Sequence, residues 1–309
     1  MIAFYKHRYK YFIISICLLL AGGIAAWVNG IQLDIQFRGG TIFKYTYTGT
    51  IDEEEAQDVV ELAVGRTTNG QLQSNLGTQE KMLILSLADN EALTSQEQEA
   101  VTAALHQAFP DAHLALSESL TVEPFLGARF FKNGMIAIGL SFLLVLGYVG
   151  VRFKNMGGVS AGTMAIIALI HDALIVTAAF IVFKIPLNDS FIAAILTIIG
   201  FSINDTIVIY DRIRENTLLY GRKITTEELV DKSINQSMMR SINTNLAVFI
   251  SITIVYVFAQ IYGIESIRAF ALPMMFGTVS GCYSTICIAG PLWAMWQNRK
   301  KQNKPVVQC

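Results

Sequence analysis

The stretch from Ile199 to Asn216 reads Ile-Gly-Phe-Ser-Ile-Asn-Asp-Thr-Ile-Val-Ile-Tyr-Asp-Arg-Ile-Arg-Glu-Asn, and it passes from an apolar run into a dense charge cluster. Asp205 stands inside the apolar part, with Asn204 beside it. The charged boundary at Asp211 lies about 9 Å further along a helix axis, at 1.5 Å per residue. An ionised carboxylate costs several kcal/mol in hydrocarbon, so an acid at such depth marks either a function or a fixed partner. Two other apolar runs carry ionisable groups. His171-Asp172 interrupts the preceding run near its middle, and Arg240 opens the following run, with Asn243 and Asn245 just behind it. The runs holding Asp172 and Asp205 are joined by a short loop, so they are expected to pack as antiparallel neighbours. That would put the two aspartates on facing sides at different depths. The long stem of Arg240 would let its head reach Asp205.

The chemistry these groups offer is proton movement. A carboxyl group that passes between hydrocarbon and an arginine changes its proton affinity, and so loads and releases a proton. A membrane potential supplies about 2.3 kcal/mol per charge per 100 mV to drive it. The competing reading is a static Asp205–Arg240 pair that holds helix register. Asn204 and Thr206 flank the acid with oxygen ligands, which suits Na⁺ as well as H⁺. Two aspartates on adjacent spans could also form an intramembrane protease dyad. Those enzymes carry Tyr-Asp and Gly-x-Gly-Asp, whereas this chain has His171-Asp172 and Ser202-Ile203-Asn204-Asp205, so neither motif is met. No Gly-x-x-x-x-Gly-Lys-[Ser/Thr] loop occurs, which argues against ATP hydrolysis. His106 and His113 stand alone, without the converging ligands that a metal site needs.

Composition agrees with a membrane setting. Of 309 residues, 53% are hydrophobic and 15% charged, with a mean hydropathy of +0.46. A net charge of −1 leaves no basic excess for nucleic acid. Cys17, Cys282 and Cys287 lie in apolar runs and Cys309 ends the chain, so they frame no disulfide or zinc pattern.

Six spans are expected, at 11–30, 132–151, 159–183, 188–210, 241–262 and 266–297, the last interrupted by Pro273 and Pro291. The first could be read as a secretory signal, but its apolar core is longer than such signals carry. Residues 31–131 form a polar insert large enough for its own domain. Within it, strands are expected at Thr41–Tyr47, Lys81–Ala88 and Ala112–Val122, and helices at Asp52–Val64 and Thr94–Phe109. The alternation suggests a small α+β sandwich with its helices on one sheet face. Residues 211–240 are polar and charged, and Leu218, Leu219, Ile224, Leu229, Val230 and Ile234 suggest one face of an interfacial helix pair. Fifteen Lys and Arg residues fall in 1–10, 152–154, 211–240 and 298–309, against only Lys184 and Arg268 in the opposite short loops. By the positive-inside rule both termini are cytoplasmic and the insert lies outside.

The ordered string Ser202-Ile203-Asn204-Asp205-Thr206 through Asp211-Arg212-Ile213-Arg214-Glu215-Asn216 resembles the fourth-span signature of the SecF family of protein-export membrane subunits. The resemblance extends over nearly the whole chain. It includes His171-Asp172-Ala173-Leu174-Ile175-Val176, Arg240-Ser241-Ile242-Asn243-Thr244 and Phe37-Arg38-Gly39-Gly40-Thr41. One departure is visible: the family commonly has an Asp close before Phe-x-Gly-Gly, whereas Gln36 precedes Phe37 here and the acid stands at Asp34.

The resemblance implies a six-span helix bundle like that of the RND superfamily, with a small periplasmic α+β domain. It implies a non-enzymatic subunit of the bacterial inner membrane that uses the proton motive force to aid preprotein translocation. SecD is the implied partner, with the SecYEG channel, YajC and SecA as neighbours, an unfolded preprotein as substrate and membrane lipid around it. No cofactor is expected beyond the coupling ion, H⁺ or Na⁺. The family's coupling pair falls on Asp205 and Arg240. Asp172, Asn204 and His171 join them as path candidates, and Gly39 and Gly40 suit a tight turn. A passive scaffold and half of a small-molecule efflux unit are the alternatives.

Overall fold

The computed structural model describes residues 2–74, 80–87, 93–221 and 223–302. Ala88, Arg222, Lys304 and Cys309, which entered the strand and charge expectations, lie outside the described residues. Among the described residues, six helical stretches are long and apolar enough to cross a membrane. They are α1 (Arg8–Asn29), α5 (Pro124–Arg152), α6 (Gly158–Val182), α7 (Asp189–Tyr220), α8 (Thr226–Tyr262) and the unit formed by α9 (Glu265–Ser284) and α10 (Gly290–Gln302). Pro273 sits inside α9 without ending it. A π-turn at Thr285–Ala289 joins α9 to α10, just ahead of Pro291. Proline lacks an N–H, and a wider turn at that point relieves the missing bond.

Helices α7 and α8 run 32 and 37 residues. At 1.5 Å per residue they reach about 48 and 55 Å, beyond the roughly 30 Å of hydrocarbon. The segment 211–240 is therefore no separate interfacial pair. It is the extension of α7 and α8 into a helical hairpin. Thr225 starts α8 with a capping box to Glu228. Leu229, Val230 and Ile234 are buried against Phe4, Tyr5, Phe153, Ile213 and Trp293, whereas Leu218 and Leu219 are exposed. The apolar residues thus face a protein core, where the chain start and α10 meet them.

Between α1 and α5 lies the sheet domain: α2 (Ile35–Arg38), β1 (Gly40–Tyr47), α3 (Glu53–Val64), β2 (Thr68–Ser74), β3 (Lys81–Leu87), α4 (Ser95–Ala108) and β4 (Ala115–Val122). The strands pair antiparallel in the order β2-β3-β1-β4. Phe43, Tyr45, Leu83, Leu85 and Leu87 line one face, and Ala56, Val60, Val101 and Leu105 of the two helices cover it. Asp52 caps α3, and Thr94 caps α4 with a capping box to Glu97. Strand β2 was not expected. Its sequence, Thr-Asn-Gly-Gln-Leu-Gln-Ser, has little apolar content, and only pairing to β3 at the sheet edge makes it a strand. The last strand starts at Ala115 rather than Ala112, because Pro110–Ala112 forms a tight turn and His113 takes a left-handed conformation.

The sheet domain is bonded to the bundle. Asp34 caps α2 by accepting from the Gln36 N–H at 2.9 Å, and its own N–H reaches the Leu187 carbonyl at 3.0 Å. Gln36 Oε1 accepts from the Asp189 N–H at 3.2 Å. Gly39 and Gly40 have φ of +88° and +136°, as a turn from α2 into β1 requires. A Cβ on Gly127 of α5 would come within 3.0 Å of the Gly39 nitrogen, so this turn rests directly on the second membrane helix.

Burial pushes the Asp34 carboxyl above the ordinary carboxylate range, the Gln36 N–H opposes the rise, and nearby Asp189 adds to it. The folded chain then holds this proton more tightly than the unfolded chain. Stability is lost as pH climbs from the ordinary aspartate range through the raised value. Asp34→Asn keeps the cap acceptor and removes the buried charge. Thermal unfolding should show an unchanged Tm in acid and a Tm raised by about 2–4 °C at neutral pH.

Candidate functional site

Asp205 is 4% exposed on α7. Asn245 of α8 donates its side-chain N–H to Asp205 Oδ2 and also to the Ser241 carbonyl, the latter at 2.9 Å. Arg240 lies on the same helix, close enough to act on Asp205 electrostatically. No direct ion pair joins the two among the described residues, and Arg240 is exposed. The carboxyl group therefore rests on an amide, with the guanidinium held back. Asn245 is the member that reading the sequence undervalued. Its signal was its position, five residues after Arg240, where α8 turns back toward α7. Asn204 points elsewhere: it is exposed and makes no hydrogen bond with Asp205 among the described residues. Neighbours on a helix differ by about 100° in direction, so adjacency in sequence did not make them partners. Thr206 is buried instead, donating to the Ser202 carbonyl at 3.1 Å and lying 3.1 Å from Thr285.

Asp172 on α6 is fully buried at 0% exposure and has its own enclosure. Ser202 of α7 and Ser284 of α9 each donate to Oδ2 at 2.7 Å, and Ser280 of α9 donates to Oδ1 at 2.6 Å. His171 Nδ1 lies 3.2 Å from Oδ1. Two neighbouring helices thus supply three hydroxyls to one carboxyl group. Isolated serines in apolar runs carry no such meaning until the helices are packed, and these three were missed for that reason. His171 Nε2 has no partner among the described residues. Tyr283 packs 6.1 Å from the His171 ring, and its hydroxyl donates to the Tyr11 carbonyl of α1 at 2.7 Å.

Ser202 precedes Asp205 by one helical turn, so the two acids lie at different depths on the α6–α7 contact. They share no partner. A protease dyad, in which two carboxyl groups hold one proton between them, is not formed. Among the described residues no group of three His, Cys, Asp or Glu side chains could hold a metal ion.

A buried carboxyl group that loses one hydroxyl donor is left short by about 1–3 kcal/mol. Ser280→Ala and Ser284→Ala should each lower the Tm of the purified protein, whereas Ser251→Ala, on the exposed side of α8, should not. Differential scanning calorimetry in detergent reads both.

The family described as protein export membrane protein SecD/SecF, C-terminal, matches residues 100–299. Protein translocase subunit SecF of Alicyclobacillus acidocaldarius is 35% identical over 94% of this chain and 91% of its own length. The SecF subunit of Helicobacter pylori is 34% identical over 91% of this chain and 83% of its own. Among solved structures, SecDF of Thermus thermophilus superposes with a TM-score of 0.80 at 27% identity, covering 96% of this chain. SecDF in a super-membrane-facing form superposes with a TM-score of 0.67 at 28% identity. The chain spans 39% of each of those SecDF chains. The family match covers residues 100–299, the SecF relatives and SecDF structures cover nearly the whole chain, and the chain belongs to the SecD/SecF family of protein-export membrane proteins, as a multi-pass, non-enzymatic translocase subunit of the SecF type.

Proposed function

We propose that this subunit uses the proton motive force to drive preprotein translocation, with Asp205 as the group that takes up and releases the coupling proton. The observation that carries this is the buried Asp205 held by Asn245, with Arg240 one step away on the same helix. A carboxyl group poised between an amide and a guanidinium has two settings. Exchange of one for the other would shift α7 against α8 and pass a proton. Asp172, fixed by hydroxyls from two neighbouring helices, is the firmer of the two sites and would anchor α6 and α9 during that shift. His171 beside it is the candidate for proton exchange with Asp172. The coupling ion is H⁺ in this reading, with Na⁺ the alternative.

The working unit would include SecD. Helix α8 leaves Asn243 and Thr244 exposed beside an apolar face, and polar groups at membrane depth call for a covering helix. A chain that spans 39% of a SecDF polypeptide supports the same conclusion. The complex would act beside the SecYEG channel, with YajC and SecA as further neighbours and an unfolded preprotein as substrate. The charge asymmetry of the loops supports an inner-membrane orientation with both termini cytoplasmic and the sheet domain outside. Movement of α7 would reach that domain through the Gln36–Asp189 hydrogen bond.

In the alternative reading, the Asp205–Asn245 bond is a static clasp and the subunit a scaffold. Asp205→Asn separates the two, because it preserves shape and hydrogen bonding and removes only the titrating group. In vesicles containing the variant, SecD and the channel, assembly should be normal and the gradient-dependent part of preprotein export should be lost. Gradient-dependent export at the wild-type rate would leave the scaffold.

A further inference from the structure

At the end of the bundle where Asn298 meets Tyr5, two cavities of about 340 and 490 Å³ adjoin, sharing Gly157 and Lys300 in their walls. Helix α6 begins there. Its first turn has no side-chain cap and no acidic residue, so backbone N–H groups and the positive end of the helix dipole are left without an anionic partner. Trp293 lines the first cavity. It is 4% exposed, and its indole N–H has no acceptor among the described residues. An indole N–H can only donate. Lys154 and Lys300 stand exposed on the rim of the second cavity, and neither forms an ion pair among the described residues. The acids at this end have partners of their own: Asp211 lies 3.1 Å from both Arg152 and Arg214, and Glu227 accepts from Asn298 at 3.1 Å. Among the described residues, Lys154, Lys300 and the start of α6 are thus left without an anionic partner.

The shape says which anion. The second cavity runs from Lys154, Lys300 and the half-exposed Trp296 along the first two turns of α6 to Thr163 and Met164. Val151 and Val159 at its side are 77% and 73% exposed, as expected of a surface that faces lipid. A free phosphate would use only the basic end. A molecule with an anionic head and an apolar tail would use the whole length.

We propose that this double cavity is a binding site for an anionic phospholipid. The phosphate would sit between Lys154, Lys300 and the α6 N-terminus, and an acyl chain would lie along α6 toward Met164. The proposal rests on the membrane placement of the bundle and is independent of proton coupling at Asp205.

The test is native mass spectrometry of the full-length protein, purified in mild detergent after incubation with vesicles of equal phosphatidylglycerol and phosphatidylcholine. Wild type should retain phosphatidylglycerol in preference. A Lys154→Gln/Lys300→Gln double variant changes only exposed side chains and should lose about thirtyfold in that preference, since each lysine near an anionic head is worth about 1 kcal/mol. Arg299→Gln, which changes an exposed base outside both cavity walls, should leave retention unchanged. Equal retention of the two lipids by wild type would overturn the proposal. So would a loss in Arg299→Gln as large as in the double variant, because the effect would then be diffuse charge. Displacement of the lipid by inorganic phosphate alone would also overturn it, because the site would then read the phosphate and not the lipid.

Discussion

A carboxyl group in hydrocarbon has to bring its hydrogen-bond partners with it, because no water is present to replace them. Asp172 meets that demand with three serine hydroxyls drawn from two other helices. The arrangement sets the relative depth and rotation of α6, α7 and α9 together. A one-residue slip of any of them would turn a serine away and strand the acid. The polar cluster therefore acts as a register pin for the bundle, and its value lies in specificity as much as in net stability.

Around that pin, a few further hydrogen bonds such as Tyr283 to the Tyr11 carbonyl join the helices, and close contact does the rest. Between helices surrounded by lipid there is no hydrophobic driving force, so small residues at the crossings do the work. A Cβ on Gly158 would lie 2.0 Å from the Gly150 carbonyl oxygen, which places α5 and α6 backbone to backbone. A Cβ on Gly277 would meet Ile198 at 2.6 Å and Val176 at 2.8 Å, so α9 seats against α6 and α7 just beside Asp172. The carboxyl cage and the close crossings are two aspects of one constraint: the serines reach Asp172 only because the helices approach this far.

Asp205 differs in kind. It draws on a single amide from α8, whose apolar spanning part has few other buried residues. The tight part of the bundle and the loosely seated α8 thus hold one acid each. At the outer end, the turn of Gly39 and Gly40 rests on α5, and Gln36 bonds to the start of α7. The sheet domain is consequently attached to the same helix that carries Asp205.

Much of this was legible from residue order, for physical reasons that act locally. Hydrocarbon selects unbroken apolar runs, so the six spans could be located from composition, and capping chemistry marked the start of α3 at Asp52 and narrowed that of α4 to Thr94 or Ser95. Acids in apolar runs are rare enough that Asp172 and Asp205 stood out. The string from Ser202 to Asn216 and its companions sufficed to point to the family. What the chain order did not disclose depends on contacts between distant residues. Strand β2 exists because β3 offers it an edge. Residues 211–240 continue α7 and α8 because Phe4, Tyr5 and Trp293 cover their apolar side. Asn245, rather than Asn204, holds Asp205 because hydrogen bonds follow helix faces and not sequence neighbours. Ser280 and Ser284 lie more than a hundred residues from Asp172. Only the packing of α9 against α6 makes them its partners, because a hydroxyl at helix pitch has no direction until a second helix gives it one.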